Sequence, residues 1–225
     1  MDEGSIMKII AIVSGGLDSV TLAHVLAKQG HEINCLSFDY GQRHKKELDF
    51  ARTAGYDIGG YWDLIDLTGL TKHIGGSSLT DDIQVPDGHY TEENMKITVV
   101  PNRNAIMLSI AYGVAVARKA DAVAIAVHAG DHFIYPDCRP EFISNFDAMQ
   151  KKAIEGFGEV KLLAPFINYT KADIVKAGAS AGVLFSKTWS CYKGADVHCG
   201  TCGTCVERKE AFELAGVKDV TMYLK

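Results

Sequence analysis

Apolar and polar residues follow one another in blocks that predict strands and helices in alternation. Met7–Val13 is an apolar, β-branched run that predicts a buried strand, and Ser19–Gln29 has apolar residues at helical spacing until Gly30 ends it. The alternation then continues along the chain. It predicts strands at His31–Phe38, Tyr61–Leu67, Ala122–His128 and Lys161–Phe166, and helices at Lys45–Ala54, Asn104–Lys119, Glu141–Glu155, Thr170–Ala181 with Thr170 as N-cap, and Val206–Leu214.

Strands separated by helical segments indicate parallel strands joined by helical crossovers, with both faces of the sheet covered. The predicted fold class is therefore α/β, a doubly wound, Rossmann-like parallel sheet in a single domain over residues 1–225. Residues 1–6 precede the first apolar run, and we expect them to be a tag or an optional extension. Residues 68–95 have weak periodicity and exceed an ordinary connection in length, which predicts a functional flap or a partly disordered segment.

Composition and charge narrow the classes of function. The 225 residues are 47% hydrophobic and 23% charged, as in a globular chain with a sizeable core. A formal net charge of −5 argues against a protein that coats nucleic acid and favours a small-molecule substrate. The start lacks the basic region of a secretory signal, and no apolar run reaches the roughly 20 residues of a membrane span. We therefore expect a cytoplasmic protein without a membrane partner, and a homodimer by default.

The stretch SGGLDS, residues 14–19, connects the first predicted strand to the first predicted helix. This is the sheet edge at which ligands bind in open parallel sheets. The two glycines let backbone N–H groups approach an anion, the two serines add hydroxyl donors, and the helix start adds its positive end. Asp18 would bear a magnesium ion or cap the helix. The stretch lacks the lysine of a Walker loop, which suits cleavage of ATP between the α and β phosphates. The structural alternative is a strand-to-helix turn capped by Asp18 or Ser19.

Four of the six cysteines fall within fifteen residues near the end of the chain, at Cys191, Cys199, Cys202 and Cys205. Such clustering in a cytosolic protein indicates metal ligation rather than disulfide bonds. Four thiolates complete a tetrahedral shell without an open position, so we predict a structural Zn²⁺ site within residues 188–214. An iron–sulfur cluster and metal-free buried cysteines stay open as alternatives. His198 adjoins a cysteine of this group and is expected to be exposed.

Three further stretches follow predicted strands or precede a predicted helix. They are LSFDYGQRH at residues 36–44, VVPNRN at 99–104 and IYPDCRPEF at 134–142. Each could be an ordinary turn, but all three are expected at the same sheet edge as SGGLDS. There they would bring charge for a polyphosphate and a carboxylate, and rings for stacking. The residues concerned are Arg43, His44, Arg103 and Arg139 for charge, and Tyr40 and Tyr135 for stacking.

SGGLDS resembles the SGGxDS signature of the ATP pyrophosphatases, the PP-loop superfamily, whose members cleave ATP to AMP and pyrophosphate. Together with FDYGQRH, PNRN, YPDCRPEF, TKADI at residues 170–174, TWSCY and CGTCGTC, it resembles the 7-cyano-7-deazaguanine synthase family of queuosine biosynthesis. These motifs span essentially the whole chain in the family's order. The resemblance implies an adenine nucleotide alpha hydrolase-like fold and a carbon–nitrogen ligase that uses ATP. It would convert 7-carboxy-7-deazaguanine and ammonia to the 7-nitrile through adenylation, amide formation and a second adenylation.

Carried over to this sequence, the resemblance implies a set of site residues. The nucleotide and the deazapurine would contact Ser14, Gly15, Gly16, Leu17, Asp18, Ser19, Thr21, Phe38, Tyr40, Gln42, Arg43, His44 and Tyr135. Asp18 would help to bind Mg²⁺, and Asp18, Arg103, Asp137 and Arg139 would be catalytic. No covalent nucleophile is needed because AMP is the leaving group, although Cys138 beside Arg139 could be proposed as one.

The chain departs from the family at one point. Phe133 and Ile134 replace a small Ser-Gly pair before YPDCR, and their bulk is expected to narrow the pocket or alter how the intermediate is handled. A relative that stops at the amide, or one that acts on a related deazapurine, therefore stays open. A PP-loop enzyme that modifies tRNA, by thiolation or lysidine synthesis, would need a basic surface that an acidic chain does not suggest. The alternative outside enzymes is a zinc-ribbon interaction module fused to an inactive α/β domain. Such a module would have no reason to keep Asp18 and Arg103 beside an intact glycine loop.

Overall fold

The computed structural model of the protein describes residues 5–71, 73–74, 76–89, 95–193 and 196–224. Within this part of the chain the strands are β1 (Lys8–Ile12), β2 (Glu32–Asp39), β3 (Tyr61–Asp66), β4 (Ala122–Ala124) and β5 (Lys161–Leu163). The helices are α1 (Leu17–Lys28), α2 (Lys46–Asp57), α3 (Thr68–Thr71), α4 (Arg103–Ala117), α5 (Pro140–Ala153), α6 (Lys171–Ala181) and α7 (Gly203–Ala215).

The five strands form one parallel sheet in the order β3-β2-β1-β4-β5. Successive residues of a strand point to opposite faces, so each strand supplies both layers of the core. Ile10 and Leu36 pack on the side of α4 and α5, whereas Ile9 and Ile33 pack on the side of α1, α2, α6 and α7. The α/β, doubly wound fold class predicted from the sequence is confirmed.

Two strands are shorter than their apolar runs predicted. β4 ends at Ala124 and β5 at Leu163, although residues up to His128 and Phe166 read as strand. Val127 and Phe166 are nevertheless 4% and 2% exposed, because the chain leaves the sheet at these points but stays inside the core. The apolar pattern therefore predicted correctly which residues are buried. It overestimated how many of them pair as strand in the sheet.

The segment after β3 is partly ordered against the rest of the molecule. Leu79 is 1% exposed, its carbonyl accepts a hydrogen bond from the Arg43 N–H at 3.0 Å, and Ser78 N–H donates to the Ile97 carbonyl. Farther along, Asp87 pairs with Cys202 as an isolated bridge. Residues 72, 75 and 90–94 of the predicted flap lie outside the described residues, as do residues 1–4 of the predicted extension. Among the helices that the structure describes, none is long and apolar enough to cross a membrane.

Candidate active site and metal centre

A pocket of about 230 Å³ opens at the carboxyl ends of β1, β2 and β4. The loops that the sequence placed at this edge meet there, as expected from the parallel arrangement of the strands. The predicted residues that line the pocket are Ser14, Gly16, Leu17, Asp18, Ser19, Phe38, Tyr40, His44, Arg103 and Tyr135.

The loop of residues 14–19 has a backbone that only glycine suits at Gly15. This residue has φ +90°, and a Cβ atom there would lie 2.0 Å from the carbonyl oxygen of Glu47. The loop is braced internally, since Ser19 Oγ lies 3.2 Å from Ser14 Oγ and accepts from the Ser14 N–H at 3.1 Å. The loop therefore has one fixed shape, packed directly against the start of α2.

Helix α1 begins at this loop without a side-chain cap. Gly16 is its N-cap residue, so neither Asp18 nor Ser19 caps the helix as the structural alternative required. The N–H groups of a first helical turn have no partners within the helix, and the helix dipole places positive potential on them. The start of α1 in the pocket is therefore suited to an anion.

Helices α4 and α6 also begin at the pocket, but their first turns are capped. At α4 the Asn104 N–H donates to Asp137 Oδ2 at 3.0 Å. At α6 the Asp173 N–H donates to Thr170 Oγ1, and the Asp173 carboxylate accepts from the Thr170 N–H in return. Thr170 is thus the N-cap predicted from the sequence.

Asp18 lies in a cluster of charged side chains. Its Oδ2 accepts from Lys171 Nζ at 2.7 Å and lies 3.8 Å from His128 Nε2, while Lys171 Nζ also lies 3.4 Å from Glu207 Oε2. Burial raises the pKa of Asp18, but Lys171 and His128 outweigh it and hold the pKa below its usual value. Burial raises the pKa of Glu207 in spite of Lys171. The carboxylate of Asp18 is thus kept ionised inside the pocket.

The second carboxylate oxygen of Asp18 differs from the first. Oδ1 is buried and has no hydrogen-bond partner in the described part of the chain. A buried carboxylate oxygen without a donor is costly unless a ligand completes it. Mg²⁺ takes oxygen ligands and is usually bound by one or two carboxylates together with substrate phosphates, so Asp18 fits the magnesium role that the resemblance implied.

Arg103 lies across the pocket from this cluster, among aromatic rings. Its Nη1 donates to Tyr40 Oη at 3.3 Å, and its guanidinium stands 5.8 Å from the centre of the Tyr40 ring. No carboxylate of the described residues forms an ion pair with it. Because a guanidinium is always charged and carries five donors, this position is suited to a second anion.

Cys138 lines the pocket as a protonated thiol. Its side chain is buried and accepts from Asn104 Nδ2 at 3.3 Å. Burial, together with Asp131 and Asp137, raises the pKa of the thiol well above its usual value. Since the thiolate is the nucleophile in cysteine catalysis, this environment argues against the nucleophile hypothesis.

Six predicted residues do not line the pocket. Gly15 and Thr21 are packed behind the pocket. Gln42 is buried, and its Nε2 donates hydrogen bonds to the Phe38 carbonyl and to Glu47 Oε1. Arg43 points outward to Asp82 and the Ile83 carbonyl. Asp137 caps α4, and Arg139 Nε donates to the His132 carbonyl at 2.7 Å on the surface. The contacts of Asp137 and Arg139 in this structure are thus with their own loop and with the start of α4, and their catalytic roles stay predictions.

The two bulky residues of the family departure also lie outside the pocket lining. Ile134 is 6% exposed and packs in the core, whereas Phe133 is 48% exposed. The expected narrowing of the pocket by these side chains is therefore not observed.

Four charged residues of the cluster were not singled out from the sequence. They are His128, Asp131, Lys171 and Glu207. Lys171 belongs to the TKADI motif, and Glu207 follows the last cysteine, so the motifs contained two of them without indicating a role. His128 Nδ1 accepts from the Gly130 N–H at 3.1 Å, which leaves Nε2 to face Asp131 at 3.3 Å. These side chains and Asp18 come from four separate segments, and only the fold brings them together.

The four clustered cysteines converge at one point. The sulfur atoms of Cys191, Cys199, Cys202 and Cys205 all lie within 4.8 Å of one another. In a tetrahedral zinc site with bonds of about 2.3 Å the sulfurs are roughly 3.8 Å apart, so small shifts suffice for a metal. Backbone N–H groups of Thr201 and Cys202 donate to Cys199 Sγ, and hydrogen bonds from the neighbouring thiols lower the pKa of Cys202. This donor set could hold a metal ion.

The segments around the cysteines also form one wall of the pocket. Ser190 and Tyr192 flank Cys191, and Thr204 and Glu207 flank Cys205, and all four line the pocket. His198 was predicted to be exposed, and this prediction is wrong, since the residue is buried. Its Nε2 accepts a hydrogen bond from the Ser190 N–H at 3.0 Å inside this layer. Burial lowers the pKa of His198 to about 4, so the ring is a neutral structural acceptor.

The comparisons with known protein families and sequences agree along nearly the whole chain. The family described as "Queuosine biosynthesis protein QueC" matches residues 8–216. A 7-cyano-7-deazaguanine synthase from Allorhizobium ampelinum is 64% identical over 217 residues, which cover 96% of this chain and 92% of the relative. A 7-cyano-7-deazaguanine synthase from Brucella ovis is 63% identical over 217 residues, which cover 96% of this chain and 94% of the relative.

Solved structures with low sequence identity share the fold. NMN synthetase from Francisella tularensis is similar with a TM-score of 0.54 at 14% identity, over 95% of this chain and 79% of that one. The U34-tRNA thiolase NcsA from Methanococcus maripaludis, solved with its [4Fe-4S] cluster, has a TM-score of 0.51 at 15% identity, over 94% of this chain and 66% of that one.

Proposed function

The chain belongs to the QueC family of queuosine biosynthesis proteins, and on that premise we propose that it converts 7-carboxy-7-deazaguanine to 7-cyano-7-deazaguanine with ammonia and ATP. Relatives with this name cover nearly the full length of the chain. The reaction is a ligation in which ATP activates a carboxylate.

One observation carries the proposal. The same pocket holds an uncapped helix start beside Asp18 and, across from it, the guanidinium of Arg103 among aromatic side chains. A reaction between a nucleotide triphosphate and an aromatic carboxylate needs two anion-binding positions in one cavity. This arrangement supplies both.

The loop of residues 14–19 would bind the phosphates through the first turn of α1 and the hydroxyl of Ser14. Asp18 would hold a magnesium ion, which supplies charge neutralisation for the triphosphate when bound. Lys171 holds Asp18 through Oδ2 and so keeps Oδ1 directed away from this ion pair. Lys171 and Glu207 thereby act as positioning residues for that carboxylate.

Arg103 would bind the carboxylate of the deazapurine and orient it toward the α-phosphate. Its five donors allow a bidentate contact, and the surrounding rings exclude water, which strengthens such a contact. Tyr40 and Tyr135 would cover the ring system, since both are buried and line the pocket. Positioning of two anions in a shared cavity accounts for much of the catalysis of such a transfer.

The proposed chemistry proceeds in four steps at this site. A carboxylate oxygen of the acid attacks the α-phosphorus of ATP, and pyrophosphate leaves. Ammonia then attacks the acyl carbon, AMP leaves with the original carboxylate oxygen, and a proton is released to give the amide. The amide oxygen attacks the α-phosphorus of a second ATP, with loss of pyrophosphate and an amide proton. Elimination of AMP and the remaining nitrogen proton leaves the nitrile.

The four-cysteine group would bind Zn²⁺ in a structural role. Its four sulfurs complete a tetrahedral shell, and the segments around them build the wall that carries Tyr192 and Glu207. The ion would therefore stabilise one side of the pocket without contact with the reacting atoms.

The proposal is tested by incubating the protein with ATP, ammonium and 7-carboxy-7-deazaguanine and following the products by mass. We expect loss of the acid and appearance of the nitrile with two AMP formed per nitrile. No ATP-dependent loss of the acid would refute the proposal, and accumulation of the amide alone would restrict it to the first activation.

A pair of arginine variants tests the carboxylate position. We expect Arg103→Met to raise KM for the acid by about 10- to 100-fold, which is the value of a hydrogen bond to a charged group. Arg118→Met is the matched control, because Arg118 pairs with Asp63 at the opposite edge of the sheet and should leave KM unchanged. Equal effects of the two substitutions would contradict the assignment.

A further inference from the structure

His44 lines the pocket and has a ring nitrogen without a hydrogen-bond partner among the described residues. Its side chain lines the pocket although the residue is only 3% exposed. Its Nδ1 is buried and has no hydrogen-bond partner among the residues that the structure describes. A buried ring nitrogen in such a position costs free energy unless a bound molecule completes it.

The other ring nitrogen of His44 faces the carboxylate of Glu47. His44 Nε2 lies 3.5 Å from Glu47 Oε2, while Glu47 Oε1 accepts from Gln42 Nε2 at 3.1 Å. In a neutral imidazole the nitrogen that faces a carboxylate carries the proton, and the second nitrogen is then an acceptor. The carboxylate of Glu47 therefore favours the tautomer in which Nδ1 accepts a hydrogen bond.

The plane of the His44 ring is also fixed. It stacks on Tyr192 with ring centres 5.5 Å apart and an interplanar angle of 24°. Tyr192 covers one face of the ring, which leaves its other face and its edge, where Nδ1 lies, for a bound molecule. Tyr192 itself lines the pocket beside the cysteine cluster.

We propose that His44 recognises a planar heteroaromatic base, with Nδ1 accepting a hydrogen bond from a ring N–H or amino group of that base. This inference rests on the proposed function, which brings two such rings to the pocket. Adenine offers its exocyclic amino group, and the deazapurine offers its amino group and ring N–H groups. Both sources present the same donor chemistry, and binding experiments with each ring distinguish them.

The test uses two substitutions at the same position. His44→Phe keeps a flat ring against Tyr192 but removes Nδ1, whereas His44→Asn places an amide oxygen near the position of Nδ1. His24→Phe on α1 is the control, since His24 lies outside the pocket. Isothermal titration measures Kd for α,β-methylene-ATP and, separately, for the acid, and thermal unfolding checks that each variant is folded.

We expect His44→Phe to weaken the binding of one of the two rings by about tenfold, the usual effect of one lost hydrogen bond. His44→Asn should stay within about threefold of the wild type, and His24→Phe should bind both rings normally. The ring that is weakened identifies the source of the donor.

A measurement on the wild type does not depend on the folding of variants. Analogues of each ring that lack the amino group, or carry a methyl group on the ring N–H, should bind about tenfold more weakly for the ring that His44 contacts. Full affinity for every analogue, or unchanged binding of both rings by His44→Phe, overturns the assignment of His44 alone. Failure of the wild type to bind either ring overturns the proposed function as well.

Discussion

Replacement of Asp18 by Asn separates the catalytic use of this side chain from its contribution to stability. The amide has nearly the same shape but no charge, so it weakens the contact to Lys171 Nζ at 2.7 Å and weakens any cation site at Oδ1. Burial of Lys171 is then compensated by Glu207 at 3.4 Å, by the charge of Asp131 and by neighbouring polar groups.

The cost in stability follows from these contacts. Breaking a buried ion pair by removing one partner costs about 3–5 kcal/mol. Here Lys171 keeps a second carboxylate and the Asp18 side chain is 24% exposed, so we expect about 1–2 kcal/mol. For a chain of this size that lowers the melting temperature by about 2–8 °C. The variant should therefore be folded at 25 °C.

The effect on turnover should be much larger. Loss of one preorganised group that stabilises developing charge costs about 10²–10³ in kcat. Asp18 would also hold the cation of the triphosphate, so we expect a loss of at least about 10³ in the rate of AMP formation.

The assay is release of pyrophosphate and AMP at saturating substrates, beside thermal unfolding of the same samples. Asp57→Asn is the matched control, because Asp57 forms an ion pair of similar length, 2.8 Å, with Lys187 outside the pocket. It should leave turnover within about twofold. If Asp18→Asn kept more than a tenth of the wild-type rate, the role of Asp18 in activation of ATP would be refuted.

Three further changes have distinct expected outcomes. Gly15→Ala places a Cβ atom 2.0 Å from the carbonyl oxygen of Glu47 at a residue with positive φ. We therefore expect a KM for ATP at least about tenfold higher and a lower melting temperature. Wild-type values for both would contradict the fixed loop shape. Cys138→Ser should keep turnover within about threefold, since the thiol is protonated, and abolished turnover would support a nucleophile instead. Cys202→Ser should lose the bound metal, measured by elemental analysis, and lower the melting temperature by about 10 °C. Iron rather than zinc in the wild-type protein would favour an iron–sulfur cluster.

The sequence predicted the alternation of strands and helices well because burial in a parallel sheet leaves long apolar runs. It was less informative about where strands end. Ile125 and Val127 continue the apolar run of β4 but belong to the core beneath the pocket. β4 pairs through three residues with β1 on one side and with β5 on the other, and the ends of these two ladders decide where the strand stops.

The pocket could be placed from the sequence, since the loops that follow parallel strands share one edge. The roles of individual charges could not. Arg43 and Arg139 read as anion-binding residues, yet their guanidinium groups are engaged with Asp82 and with the His132 carbonyl. Lys171, which reads as an ordinary residue in the first turn of a helix, forms the ion pair with Asp18. Such partners depend on contacts between segments far apart in the chain.

The starts of α1, α4 and α6 differ in their caps, and this difference imposes a direction on an anion that enters the pocket. At α4 and α6 side chains of Asp137 and Thr170 occupy N–H groups of the first turn, so the positive end of these helices is partly screened. Helix α1, with Gly16 at its start, keeps that potential open. Under the proposed function a nucleotide would enter with its phosphates toward α1, so the helix starts would impose a polarity on its binding.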